Sequence, residues 1–401
     1  MAEGVSSQVE TARYGAMPGF SQLEPEPLWT QSTGDSKICV AVIDGPVDLS
    51  HPCFQGANLS VVETLVPNVV DDGLASLHGT HIASIIFGRH SGPVRGVAPD
   101  CRGLIIPVYK SGTRDALHPC SQLDLARAIT QAVGNGANVI NISGGQLDPS
   151  GQAHPLLAHA VRICADSGVL IVAAAGNDGC ACLHIPASEP SVLVVGAMDS
   201  NGAPMDFSNW GNKYAGRGIL APGENILGAV PGGGTALQTG TSFAAPIVSG
   251  IVALLLSIQI KRGQNPDARA ACKAILDSAI GCSSQPVPDC SRLLAGRLNA
   301  VGAVAHLNEG GKVEMSEQIK ETADPSNGAE EIDAHRSPGV EPIGLQCRSS
   351  VSAAAAAVQP ALSAPGIIPA ELPSGGPGRT QVPPAPLAYA PGGITSSGGC
   401  G

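Results

Sequence analysis

The sequence predicts an α/β fold built on a mostly parallel central sheet, and three observations carry that prediction. Continuous apolar runs of strand length recur along the chain: Ile38 to Ile43, Leu104 to Val108, Val139 to Ile142, Val169 to Ala175 and Val192 to Ala197. A strand that is apolar at every residue is covered on both faces, the condition found in parallel sheets. Helical patterns with readable starts and stops lie between these runs, and such alternation of strand and helix is the mark of the class. The chain is also long enough, at 401 residues with 43% hydrophobic and 14% charged, to bury a large core.

Taken in order, residues 1–36 form an N-terminal extension of mixed Glu, Gln, Ser, Pro and Tyr. It has neither a basic start nor an apolar run, so no secretory signal is expected. The run Ile38 to Ile43 is the first strand and stops at Asp44. Leu77 to Ile86 reads as a helix packed under the sheet, opening at His78, with small and apolar residues after Gly79. On spacing alone His81 is the packed histidine, and His78, at the exposed tip, is the candidate base. Ser121 starts the next helix with Asp124 three residues on, a capping-box arrangement; Leu125, Ala128, Ile129, Ala132 and Val133 form its apolar stripe, and Gly134-Asn135-Gly136 stops it. Pro155 opens another, carried by Leu156, Leu157, Val161 and Ile163 and closed by Gly168. Gly240-Thr241-Ser242 then runs into Ile247, Val248, Ile251, Val252 and Leu254 to Leu256, a segment apolar on nearly every face and therefore a buried helix. Pro246 is expected in its first turn, where an absent N–H costs nothing. One large domain thus spans residues 37–308. Residues 309–401 are acidic at first and then rich in Pro, Gly and Ala, the composition of a linker or disordered tail.

Composition excludes several functions. A formal charge of −11 and the lack of any Lys/Arg cluster speak against nucleic-acid binding. The longest apolar run, Ile251 to Leu256, is too short for a bilayer. A soluble, cytoplasmic protein is expected. Most of the twelve cysteines should then be reduced. Cys282 and Cys290 flank a short loop and could bridge locally. Cys180, Cys182 and His184 form a Cys-x-Cys-x-His group whose spacing is unusual for zinc; a disulfide from this loop to Cys164 or Cys120 is the alternative reading.

In open α/β sheets ligands bind beyond the carboxyl ends of the strands. Asp44, Ser143-Gly144-Gly145, and Ala174-Ala175-Gly176 leading into Asn177 all stand at such ends. Singly they read as caps and turn residues. With His78 and Ser242 they become a set, because a serine hydroxyl needs an adjacent base, and that base needs a carboxylate to fix its tautomer. Ser242 at a helix start would lie among N–H groups without helical partners, at the positive end of the helix dipole. The amide of Asn177 and the N–H of Ser242 are the candidate oxyanion donors. Ser143, Gly144 and Gly145 would offer a backbone edge to an extended peptide, with Ala174, Ala175 and Gly176 as the facing wall.

The order Asp, His, Ser is that of subtilisin. Ala-Val-Ile-Asp-Gly at Asp44, His-Gly-Thr-His at His78, Ala-Ala-Gly-Asn at Asn177 and Gly-Thr-Ser-Phe-Ala at Ser242 resemble the four signature blocks of the subtilase family. The resemblance runs from about Lys37 to Leu307 and implies a three-layer subtilisin-like peptidase domain, a catalytic triad of Asp44, His78 and Ser242, and no cofactor. No calcium loop or other metal site is evident. Asn141 to Gln146, Gly176 to Cys180, Asp206 to Gly211 and Leu220 to Thr235 are similar to the cyanobactin maturation proteases, which process ribosomally made precursor peptides. Two departures from secreted subtilisins agree: Ser143 is followed directly by two glycines, and Phe243 replaces the usual methionine. The ring-forming members carry a helical insertion between the catalytic Asp and His. Here 34 residues separate Asp44 from His78, too few for such a lid, so the resemblance implies the leader-removing, hydrolytic kind. The stretch before Asp44 is also too short for the folding pro-domain of secreted subtilisins. A degradative subtilase and an inactive peptide-binding subtilase fold are the alternative functions.

Overall fold

The computed structural model describes residues 25–111, 117–118, 120–282, 289–307 and 368–369. The expectations for residues 1–24 and for nearly all of 309–401 lie outside them. Helix α1 (Pro25–Trp29) precedes strand β1 (Cys39–Asp44), a 3₁₀ turn at Pro52–Phe54, and β2 (Leu59–Val61). Next come α2 (Leu74–Phe87), β3 (Arg102–Pro107), β4 (Lys110–Ser111), β5 (Leu117–His118), α3 (Gln122–Gly134), β6 (Val139–Ile142) and β7 (Gly144–Leu147). They are followed by α4 (Pro155–Asp166), β8 (Leu170–Ala174), β9 (His184–Ile185), β10 (Val192–Met198) and β11 (Gly218–Pro222). The order closes with the hairpin β12 (Ile226–Val230) and β13 (Gly234–Gln238), α5 (Thr241–Lys261), α6 (Ala268–Asp277) and β14 (Ile368–Pro369).

Seven strands form one sheet in the order β11-β10-β8-β6-β1-β3-β2, parallel throughout. All five expected strands lie in it. Two cores cover its faces, as strand alternation requires. Val40, Val42, Val172 and Ala174 point to the side of α2, α5 and α6. Ala41, Ile43, Ile171 and Ala173 point to the side of α3 and α4. From β1 the chain crosses by α2 to β3 on one flank and returns by α3 to β6 on the other. That reversal puts a crevice between the carboxyl ends of β1 and β6.

Local signals held where chemistry was local. Ser121 caps α3 through the Asp124 N–H at 3.1 Å, and Pro155 opens α4, which stops before Gly168 at φ +71°. Three readings change. First, α2 starts at Leu74, so His78 is not at an exposed tip; it lies in the second turn and is 5% exposed. Second, Pro246 is not in the first turn of α5 but inside the helix, at its sixth residue. Third, α5 as a whole is long and apolar enough to cross a membrane, but 94% of its most apolar window is buried within the fold, so it is a core helix. Part of the N-terminal extension also belongs to the packing: Leu28 is 1% exposed and the Trp29 indole donates to the Val97 carbonyl at 2.9 Å. Strand β2 and the hairpin β12/β13 gave no sequence signal, being short or only partly covered.

Candidate active site

The register that sets Ile43 opposite Ile142 places the ends of β1 and β6, hence Asp44 and Ser143, side by side in the crevice. Asp44 is 1% exposed, and its Oδ1 accepts from the Gly45 N–H at 2.7 Å and from His78 Nδ1 at 2.7 Å. The imidazole reaches it because α2 lies very close to the turn after β1. A methyl group on Gly79 would stand 2.4 Å from the Gly45 carbonyl oxygen, so only glycine permits this approach. With Nδ1–H donating to a carboxylate, Nε2 is left as the acceptor, and it is buried with no partner. His81, one turn on, is fully buried and bonds the Ile226 carbonyl at 3.1 Å; burial, reinforced by His78, lowers its pKa to about 3. It stays neutral and packed, as its spacing predicts.

Ser242 is the second residue of α5 and is fully buried. Its hydroxyl donates to the Ser143 carbonyl at 3.1 Å. Asp44 and His78 are thus joined directly. Phe243, the residue after Ser242, has its ring 5.6 Å from the His78 ring and 4.9 Å from that of His81.

Pro246 explains a feature that the sequence does not announce. A residue at 246 would ordinarily donate its N–H to the carbonyl four residues back, which is that of Ser242. Proline has no N–H, and the vacant acceptor is taken by the Ser143 hydroxyl at 2.7 Å. Asn141 donates to that hydroxyl at 3.0 Å and accepts from Ser249 at 2.9 Å, so a buried polar chain ties β6 to the first turns of α5. Ser143→Ala would strand the carbonyl and is expected to cost about 1–3 kcal/mol of stability. Adding Pro246→Ala restores a backbone donor, so chemical denaturation should show the double variant recovering part of the loss.

Asn177 follows β8. Its Oδ1 accepts from the Thr241 N–H at 3.0 Å and the Thr241 hydroxyl at 2.8 Å, which fixes the side-chain amide with Nδ2 on the opposite side. The N-terminal N–H of α5 and the candidate oxyanion donor are thereby tied to one another. Asn177→Ala is expected to lower kcat about 10²–10³-fold, measured as peptide turnover, with a smaller change in KM.

The two walls expected to hold a peptide are both present. Ser143, Gly144 and Gly145 lead into and along β7. Ala174 closes β8 and Ala175 follows it, and Asn209 pins the segment by donating to Ala175 and Gly176 carbonyls at 3.2 and 3.1 Å. Between the walls stands His184. A methyl group on Gly145 would lie 3.0 Å from its Nδ1, and one on Gly176 would lie 2.6 Å from its Nε2. His184 Nε2 bonds Asp178 at 2.6 Å, Asn209 donates to the same carboxylate oxygen at 2.6 Å, and Tyr214 accepts from the His184 N–H at 2.7 Å. Burial raises the Asp178 pKa, but the bonds from His184 and Asn209 outweigh it and hold the carboxyl below its ordinary value. Sequence reasoning missed this floor, noticing His184 only as part of a Cys-x-Cys-x-His group.

In that group Cys180 and Cys182 are disulfide-bonded to each other, and His184 is turned to Asp178. Cys120 and Cys164, the alternative partners, are buried free thiols, each with a pKa pushed up to about 12 by burial. Cys282 and Cys290 are paired, as their spacing suggests. Among the described residues no cluster of three His, Cys, Asp or Glu could hold a metal ion.

Solved structures similar to this chain include the prenylagaramide maturation protease PagA, at 55% identity over 71% of this chain and 98% of that one, with a TM-score of 0.66. The PatG macrocyclase in complex with peptide is 33% identical over 73% of this chain and 99% of that one, with a TM-score of 0.65. The thermophilic serine proteinase of Bacillus sp. (strain AK1) is 32% identical over 281 residues, 69% of this chain; the match spans only 64% of that relative's length. The family model described as the subtilase family, Peptidase_S8, matches residues 35–293, a span that contains Asp44, His78, Asn177 and Ser242. Sheet order, the crevice at the topological switch and the match over most of the chain agree, and the chain belongs to the subtilase family.

Proposed function

We propose that this chain is a serine endopeptidase that cuts a ribosomally made precursor peptide, removing its leader by hydrolysis in the cytoplasm. The observation that carries the catalytic part is the buried 2.7 Å bond from His78 Nδ1 to Asp44, which leaves Nε2 as a ready acceptor. Rotation of the Ser242 hydroxyl away from the Ser143 carbonyl completes the relay; such bonds often tighten only when substrate is bound. His78 then takes the hydroxyl proton as Ser242 attacks the scissile carbonyl. The Ser242 N–H and Asn177 Nδ2 face the oxyanion. His78 passes the proton to the leaving amine, and water, activated by the same imidazole, releases the acyl group.

The likeness to PagA, a maturation protease by its name, supports a precursor peptide as substrate. The interval from Asp44 to His78 supports hydrolysis rather than ring closure. It holds a 3₁₀ turn, β2 and the start of α2, with no inserted helix between Gly45 and Gly73. Incubation with a cyanobactin-type precursor should yield one cut between leader and core, while casein should remain nearly intact. Rapid casein digestion at many sites would make the enzyme a general degradative subtilase. Fluorophosphonate should label Ser242, and no adduct would leave only peptide binding.

A further inference from the structure

Strand β7 has two edges. One is paired with β9, through Gln146 opposite Ile185 and Leu147 opposite His184. The other edge, in the cleft, is paired antiparallel with β14: Ile368 stands opposite Gly145 and Pro369 opposite Gly144. Strand β14 also lies near β5. The backbone edge read as the peptide-binding edge is therefore occupied by the chain itself.

The polarity of this pairing is informative. Passing from Ile368 to Pro369, the strand moves along β7 from Gly145 to Gly144, toward Ser143, whose carbonyl accepts from the Ser242 hydroxyl. A peptide about to acylate Ser242 must run in the same direction, with its N-terminal part on the edge and its next peptide bond at the nucleophile. We propose that the segment containing Ile368 and Pro369 is a tethered competitor that fills the acyl side of the cleft and must leave before a precursor peptide can pair there. This rests on the endopeptidase reading and adds a regulation to it.

The contact is weak enough to be displaced. It comprises two residue pairs, and Pro369 has no N–H to give to the ladder. The tether compensates. The strand belongs to the same chain as the edge that it covers, so it is present there at an effective concentration on the order of millimolar. Peptides that bind more weakly than this would rarely gain the edge, whereas a strongly bound precursor would.

The test deletes residues 366–371 from the otherwise full chain. The KM for a precursor peptide should fall about 3–10-fold with kcat unchanged, and a synthetic peptide of the deleted sequence should restore the higher KM competitively. In Ser242→Ala chains, hydrogen exchange of the amides of Gly144 and Gly145 should be faster after the deletion. Equal KM and equal exchange in the two forms would overturn the proposal. So would loss of a C-terminal fragment from the active chain but not from Ser242→Ala, since the segment would then be a substrate and not a competitor. Because exchange is read in an inactive chain, it decides the occupancy of the edge independently of whether any peptide is cut.

Discussion

Ser242→Ala should lower kcat by about 10⁶, which corresponds to about 8 kcal/mol of transition-state stabilisation, while the protein stays folded. The size follows from what is removed and what is kept. The variant loses the atom that forms the acyl-enzyme, so the remaining triad members have nothing to activate. It keeps the backbone N–H of residue 242 at the start of α5 and the amide of Asn177, so a residual rate of about 10³–10⁴ over water remains. Stability is little affected because alanine suits a fully buried position in the first turn of a helix; the Ser143 carbonyl loses one donor, a change of about 1 kcal/mol. Chromatographic detection of precursor cleavage, with a thermal melt beside it, checks both halves. Turnover within tenfold of the parent chain would remove Ser242 from the mechanism.

Much of the fold was legible in the sequence because its signals are short-range. A fully apolar run such as Leu170 to Ala174 reads as a covered strand, and the Ser121 cap and the Gly168 stop act within one helical turn. The chemical set was legible because strand-end residues must converge at a topological switch. What escaped was tertiary. The depth of His78 depends on the contact of Gly79 with Gly45, two segments joined only by folding. The place of Pro246 inside α5 depends on a hydroxyl arriving from Ser143, 99 residues before the Ser242 carbonyl that it satisfies. The His184–Asp178 pair depends on β9 pairing antiparallel with β7, and β9 has only two residues to announce itself.

The second His–Asp pair makes the next expectation sharper. Asp44→Asn should lower kcat about 10⁴-fold with the fold preserved, although Asn is nearly the same size and shape. At present Asp44 Oδ1 accepts from both Gly45 N–H and His78 Nδ1. In the variant that shared position holds either the amide oxygen, which keeps both contacts without the charge, or the amino group, which favours the tautomer with the proton on Nε2, so that the histidine cannot accept from Ser242. In either orientation the imidazolium formed in the transition state is left without a counter-charge. Asp178→Asn alters the other pair, whose separation of 2.6 Å is nearly the same. There the bonded nitrogen is Nε2, and the remaining nitrogen lies against Gly145, one of the residues proposed to hold the peptide. Its loss should change KM and the preference for the residue before the cut, with kcat on the best peptide reduced less than tenfold. Steady-state kinetics on a panel of peptides differing at that residue would separate the two. Equal losses of kcat from both variants would mean that distance alone, and not the nitrogen left facing the nucleophile, had been used to assign the base.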